Sequence, residues 1–440
     1  MTGAMAPYPV APYPAARYVI APPATGEQDG DGIWPRAVRE LADDLAVDAS
    51  ARDRAGKPPF EEVSRLREAG LPGFLAPPGP GGRGTDWGTA CAAVREIAAA
   101  DSSLAELLAR HYVLSWGPRL FGAPEHAARV ESRAARERWL WAGSTEAPGT
   151  PAGAGLLLTP VGKKAGRKYV LNGQRALAAG AGVADRLLLS AVHADSGESV
   201  IVVVDPAFTT VCPEAPEGRL GQRLTGAATV GFEDVPVAAG QVLGTVPGDE
   251  YTVSPYTALA PLALRLILLH VGLGNAEGAL AEARDISRVA PGVHPFTDTG
   301  SGEYATAPGE DPYLLLAYGE LATSAHSASS VVGRATDAMA QGLLIGPGLG
   351  PDERAEIAFL VAAAEAVATE SALRITTRVL ELTAGNQAPS PATDPGFDRF
   401  WRNARALTTR SSPAHRLRDI GAHYLNGARA DLMWPPAAMR

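Results

Sequence analysis

Cysteine is nearly absent from this 440-residue chain: only Cys91 and Cys212 occur. Two cysteines cannot build a disulfide framework, and neither stands at metal-ligand spacing. Cys91 lies in an alanine-rich helical run and Cys212 precedes a proline, so both read as packing residues rather than nucleophiles. The eight histidines are scattered without metal spacing. No P-loop, no G-x-G-x-x-G after a strand, no H-E-x-x-H and no G-x-S-x-G occurs. No apolar run reaches about 18 residues, so no membrane span is expected. The N-terminus has no basic segment leading into an apolar one, so no signal peptide is expected and the cytoplasm is the default compartment. Positive charge is also short: 39 Lys and Arg stand against 48 Asp and Glu, a net charge of −9. Neutralising phosphates takes a surplus of cations, so a nucleic-acid partner is not expected.

What is present is an ordinary globular composition with material for two or three cores. Residues 1–32 are rich in Pro, Ala and Gly and read as a disordered or surface arm. Helical periodicity begins near Trp34 and continues through PFEEVSRLREAGL, stopped by Gly70–Gly73, and through TACAAVREIAAADSSLAELLARHYVLSWGPRLFG. Residues 33–141 therefore form an N-terminal helical domain. From Gly155 the pattern becomes short apolar runs: GLLLTPV, RKYVLNGQ, ADRLLLSAV, SVIVVVDP and TVGFEDVPV. Asn172-Gly173 is a turn signal and GESV a hairpin connection. Residues 142–245 are the β domain. Long striped helical runs then return, and residues 246–440 read as an antiparallel bundle. The polar stretch at 291–312 is long for a bundle loop and is a candidate lid.

One C-terminal stretch, DRFWRNARALTTRSSPAHRLRDIG, concentrates arginine. On a helix starting near Phe397, Phe400, Trp401, Ala404 and Leu407 share one side, while Arg399, Arg402, Arg405 and Thr409 share the other. That face is either a solvated basic surface or a set of donors for a phosphate or carboxylates. Ser411-Ser412-Pro413 ends the helix, and either serine can cap the next.

The order of helical domain, β domain and bundle, with a series of motifs in sequence, resembles the acyl-CoA dehydrogenase superfamily of flavoproteins. VREIAAADSSLAELLARHYV is similar to its fourth helix. GSTEAPG resembles the T-E-x-x-G turn that faces the flavin. VLNGQRALAAGAGVADRLLLSAV and LGQRLTGAATVGFEDVPV resemble its following strands. ALRITTRVLEL and DRFWRNAR are nearer to the flavin-dependent monooxygenase branch. The fold class implied is α+β, with an N-terminal helical domain, a central β domain and a C-terminal antiparallel bundle.

The resemblance also implies site residues and partners. His111 matches a histidine that acts on oxygenated flavin. Ser144, Thr145, Arg223, Thr225 and Arg288 match cofactor-binding positions, the flavin being bound through Thr145, the Gln222–Thr225 stretch and backbone amides. Tyr112, Trp141, Ala179 and Arg410 match the substrate pocket. Two positions depart from the branch: Ala179 replaces a hydroxyl residue, and Arg410 replaces a histidine, where Arg cannot act as a general acid. Glu381 is the nearest candidate for a dehydrogenase base and reads as a surface glutamate. The activity implied is a flavin-dependent oxidoreductase of monooxygenase type. FMN or FAD is its cofactor, a small or mid-sized organic compound of natural-product type its substrate, and a separate flavin reductase its partner. The assembly implied is a homodimer or homotetramer. A flavin-free enzyme on the same scaffold (cyclase, isomerase or dehydratase) and a non-enzymatic subunit stay open beside it.

Overall fold

In a computed structural model, the described residues are 33–145, 155–161, 168–215, 218–246, 253–289, 311–384, 396–408 and 413–427. The N-terminal arm, most of the 291–312 stretch, Arg410 and the Ser411-Ser412 cap lie outside them.

Seven helices come first: α1 (Ile33–Ala46), α2 (Ala49–Ala55), α3 (Phe60–Glu68), α4 (Trp87–Ala100), α5 (Ser102–Ser115), α6 (Gly117–Phe121) and α7 (Pro124–Glu137). The long run containing Cys91 and His111 thus breaks into three helices. The first break is Asp101, whose extended backbone ends α4 and whose carboxylate accepts the N–H groups of Ser103 and Leu104 at the start of α5. A capping carboxylate satisfies donors that an unbroken helix would have bonded internally.

The strands are β1 (Trp141–Ser144), β2 (Leu156–Val161), β3 (Lys168–Leu177), β4 (Arg186–His193), β5 (Ser199–Val204), β6 (Thr210–Pro213), β7 (Ala228–Ala238) and β8 (Val242–Val246). They form one mixed sheet in the order β6-β7-β3-β2-β4-β5-β8, with β1 parallel to β4. Asn172-Gly173 does not turn the chain. It sits inside β3 at a register shift against β7, and the Asn172 amide exchanges hydrogen bonds with Asp234 at 3.0 and 2.8 Å. The five long apolar runs are β2, β3, β4, β5 and β7. Leu187, Leu189, Val200 and Val202 of β4 and β5 belong to the sheet's main core.

The bundle holds α8 (Ala260–Val289), α9 (Pro312–Ile345), α10 (Pro351–Ala384), α11 (Asp398–Thr408) and α12 (Pro413–Asn426). Thr257–Arg288 is long and apolar enough to cross a membrane. Its apolar residues are spent inside the protein: Leu262, Leu266, Ile267 and Val271 join α4, α5, α9 and α10 in one shared core. Two glycines set the contact with α4. A Cβ on Gly274 would stand 2.2 Å from the Arg95 carbonyl oxygen, and one on Gly278 2.0 Å from that of Ala99. Only glycine admits backbone this near. Between them, Glu277 takes Arg95 in a two-pronged ion pair.

Candidate functional site

The site is built around the short strand β1, whose start is fixed by side chains from other elements. Leu140 donates its N–H to Asp185 at 2.7 Å, and the same carboxylate takes Arg67 of α3 at 2.6 Å. Trp141 donates its N–H to Nδ1 of His111 at 3.0 Å. With Nδ1 accepting, Nε2 carries the ring proton and donates it to the Pro72 carbonyl at 2.8 Å. Burial lowers the His111 pKa to about 4, the Pro72 bond opposing it. His111 is therefore neutral near pH 7 with both nitrogens on backbone groups. In this arrangement it ties α5, the turn at Leu71–Gly73 and β1 together, and has no spare proton to deliver.

Tyr112, expected in the substrate pocket, is in the helical core. It is fully buried, stacked on Phe74, with its hydroxyl donating to the Leu71 carbonyl at 2.9 Å. Successive side chains on α5 point about 100° apart, so Tyr112 packs on Phe74 in the helical core while His111 turns toward β1. Trp141 is buried edge-on against Trp139. Beside His111 lies a cavity of about 30 Å³ walled in part by Ser115, Glu131, Trp139 and Trp141, the room of one water. Burial raises the Glu131 carboxyl against its Arg119 ion pair.

Ser144 and Thr145 are half-buried at the C-terminal end of β1. The remainder of GSTEAPG lies outside the described residues. Ala179 packs with Leu140, Val63, Leu107 and Val183, an apolar setting that asks for no hydroxyl. The turn it belongs to is held from behind: Gly180 donates its N–H to the Thr225 carbonyl at 2.7 Å, and Ala181 to that of Gly226 at 3.0 Å. The buried Thr225 hydroxyl bonds the Gln222 carbonyl at 3.1 Å, so this residue shapes its loop. Arg223 is half-buried on the same loop, with Nε on the Arg219 carbonyl at 3.3 Å.

His111, Trp141, Ala179, Ser144, Thr145, Arg223 and Thr225 thus fall in one region. Arg288 does not join them. It is exposed in the last turn of α8, about 20 Å along the axis from Asn275, which bonds Phe400 of α11. Glu381 is exposed and pairs with Arg378 at 2.8 Å, a surface contact.

The basic face of α11 is not solvated. Arg399 pairs with Glu282 at 2.6 Å and covers the Phe400 ring at 4.1 Å. Arg402 pairs with Asp53 of α2 at 2.5 Å and with Asp398 at 2.8 Å. Only Arg405 of the three is exposed. Two carboxylates donated by distant helices pull Arg399 and Arg402 inward, and the partners turn out to be the protein's own.

A polar hub joins α11 to the site and was invisible in the sequence. Asn403 Oδ1 accepts the N–H of Gln222 at 2.7 Å, and Gln222 Nε2 donates to Ser102 Oγ at 3.0 Å. Gln222 has a left-handed backbone, φ 56°, rare for a residue with a side chain. At Gly221 a Cβ would meet the Arg402 carbonyl oxygen at 2.4 Å. Nothing local marks Gln222 for this conformation; it is imposed by Asn403 and Ser102.

Helical domain, mixed sheet and bundle in this order define the acyl-CoA dehydrogenase fold. Residues 34–138 match the family model "Acyl-CoA dehydrogenase, N-terminal domain". The chain is 33% identical over 396 residues to a dibenzothiophene monooxygenase of Rhodococcus qingshengii, covering 88% of this chain and 92% of that one. It is 29% identical to the probable FMNH2-dependent monooxygenase SfnC of Pseudomonas putida, covering 89% and 94%. The FMN-bound structure of TdsC from Paenibacillus sp. A11-2 superimposes with a TM-score of 0.80 at 31% identity, over 91% of this chain and all of that one. The chain belongs to the acyl-CoA dehydrogenase superfamily, in the branch of the dibenzothiophene monooxygenases.

Proposed function

We propose that this chain is a flavin-dependent monooxygenase that takes reduced FMN from a separate reductase and oxygenates a small or mid-sized organic substrate. The observation that carries the reading is the superposition on the FMN-bound relative, which extends over 91% of this chain. The donor set fits a flavin. Ser144 and Thr145 offer hydroxyls to the polar edge of the ring, and the turn beside them, Ala178 to Gly182, is built of alanine and glycine and adds no bulk. Arg223 supplies positive charge for the phosphate.

Reduced flavin supplies the electrons that split dioxygen, placing one oxygen atom on the substrate and releasing the other as water. The chain's own residues hold and shield that chemistry. His111 aligns β1 through Trp141, and the Trp139–Trp141 pair with Leu140 closes the protein side against water. Arg288 stands apart from these residues within one chain, and the homodimer or homotetramer included in this reading is the assembly in which a second copy would supply it. A soluble enzyme of the cytoplasm is part of this reading, and the helix among the described residues that is apolar enough to cross a membrane is packed inside the bundle.

A redox-neutral reaction is favoured by one observation, namely that neither Ala179 nor His111 has a free proton to give. The two readings separate in one assay. The purified protein, a flavin reductase, FMN and isotopically labelled dioxygen are incubated with aromatic sulfides and indoles. The monooxygenase reading expects one labelled oxygen in the product and no product without FMN. Turnover that persists without flavin and dioxygen would overturn it.

A further inference from the structure

The described residues also line a larger space, which shares Trp139 with the small cavity beside His111. A groove of about 700 Å³ runs between α7 and the sheet, a volume suited to a ligand of nucleotide size. Arg129 and Arg133 of α7, Lys168 of β3 and Arg186 of β4 line it, against the single carboxylate of Asp205. A cluster of four cations on a chain of net charge −9 calls for a local reason.

Two of these cations build the wall. Arg133 and Arg186 lie over the Trp139 ring at 5.3 and 4.4 Å, and they are answered by Glu137 at 2.8 Å and Asp205 at 3.4 Å. The other two, Arg129 and Lys168, are exposed and pair with no carboxylate among the described residues. On the rim stands Phe208, a phenyl ring left 59% exposed. Its short turn is fixed by Asp205, which accepts the Ala207 N–H at 3.0 Å. The groove therefore offers a stacking face and two unmatched cations. An inorganic anion would leave the phenyl ring unused. An uncharged ring would leave the cations unused.

We infer that this groove binds a flat ring carrying a phosphate monoester, a ligand of the mononucleotide class. The ring stacks on Phe208, and the phosphate meets Arg129 and Lys168. Ser144, Thr145 and Arg223 do not line the groove, so it is a second site beside the proposed flavin site.

The test is calorimetric titration of the full-length protein with adenosine monophosphate, inorganic phosphate and adenosine. The nucleotide is expected to bind about tenfold or more tightly than either fragment, and more weakly as salt is added. Arg129→Glu with Lys168→Glu should weaken it by about tenfold or more, and Phe208→Ala should bring it toward the phosphate value. All three positions are exposed, so the variants should keep the wild-type circular dichroism. Ser144→Ala with Thr145→Ala should leave nucleotide affinity unchanged. The inference is overturned if the nucleotide does not bind, if phosphate binds as well as the nucleotide, or if the Ser144/Thr145 variant loses nucleotide binding, which would assign the signal to the flavin site.

Discussion

Replacing Arg402 by alanine should destabilise the protein far more than a surface arginine would. Asp53 is only 4% exposed, its Oδ2 is held by Arg402, and its Oδ1 has no hydrogen-bond donor among the described residues. Without Arg402 a carboxylate is left in the interior with nothing to offset its lost hydration. Removing one partner of a buried pair costs about 3–5 kcal/mol, whereas replacing both by apolar residues is close to neutral. The Asp398 end of Arg402 adds little, because that carboxylate is half exposed and screened by water. The assay is a double-mutant cycle read by urea unfolding: Arg402→Met, Asp53→Leu and both together. Arg402→Met is expected to lose about 3 kcal/mol or more, and the double variant to recover most of it. Flavin affinity should fall in Arg402→Met as well, because α11 also holds Gln222 through Asn403 and thereby the turn beside β1. Single substitutions that cost under about 1 kcal/mol, or that simply add, would refute the reasoning.

Acid should weaken the fold through two buried imidazoles. Burial lowers His111 to about 4 and His270 to about 3 from the ordinary 6.5. The unfolded chain then binds protons at higher pH than the folded one. The stability tied to neutral imidazole is whole above about pH 6.5 and is lost as pH falls toward 4, by roughly 3 kcal/mol for His111. His270→Leu should flatten part of this slope and change stability at pH 7 by less than about 1 kcal/mol, since Thr336 keeps its bond to the Val332 carbonyl; an unchanged acid slope in urea midpoints would contradict this. Gly221→Val should push the loop off α11 and lower both the melting temperature and flavin affinity, whereas Gly240→Val, whose Cβ would meet nothing within 4 Å, should not; equal effects would argue against a close approach at Gly221.

The order of domains was legible because long periodic segments and doubly buried strands leave strong patterns. After Ser199, VIVVV is apolar throughout because β5 is covered on both faces, and it reads as a strand without help. WAGS carries no such pattern, so β1, the strand that matters most, was seen only through its motif. Asn172-Gly173 has the chemistry of a turn, but cross-strand bonds to Asp234 keep it in the ladder. The amphipathic geometry of α11 was readable, while the fate of its arginines was not: Arg402 is satisfied by a carboxylate 349 residues earlier. Tyr112 and His111 are neighbours in sequence, and only the packing of α5 decides that one enters the core and the other meets β1. Gln222 depends on Ser102 and Asn403 together, and no window of sequence contains all three.

The central claim is that reduced flavin binds at the end of β1. Anaerobic titration of the purified protein with oxidised and with reduced FMN, followed by difference absorbance, tests it most directly. Saturable binding is predicted that favours the reduced form and that weakens when Ser144 and Thr145 are both replaced by alanine, with the circular dichroism of the flavin-free protein showing that the variant is folded. A protein that gives no difference spectrum with flavin in either redox state, or whose binding is indifferent to Ser144 and Thr145, would contradict it.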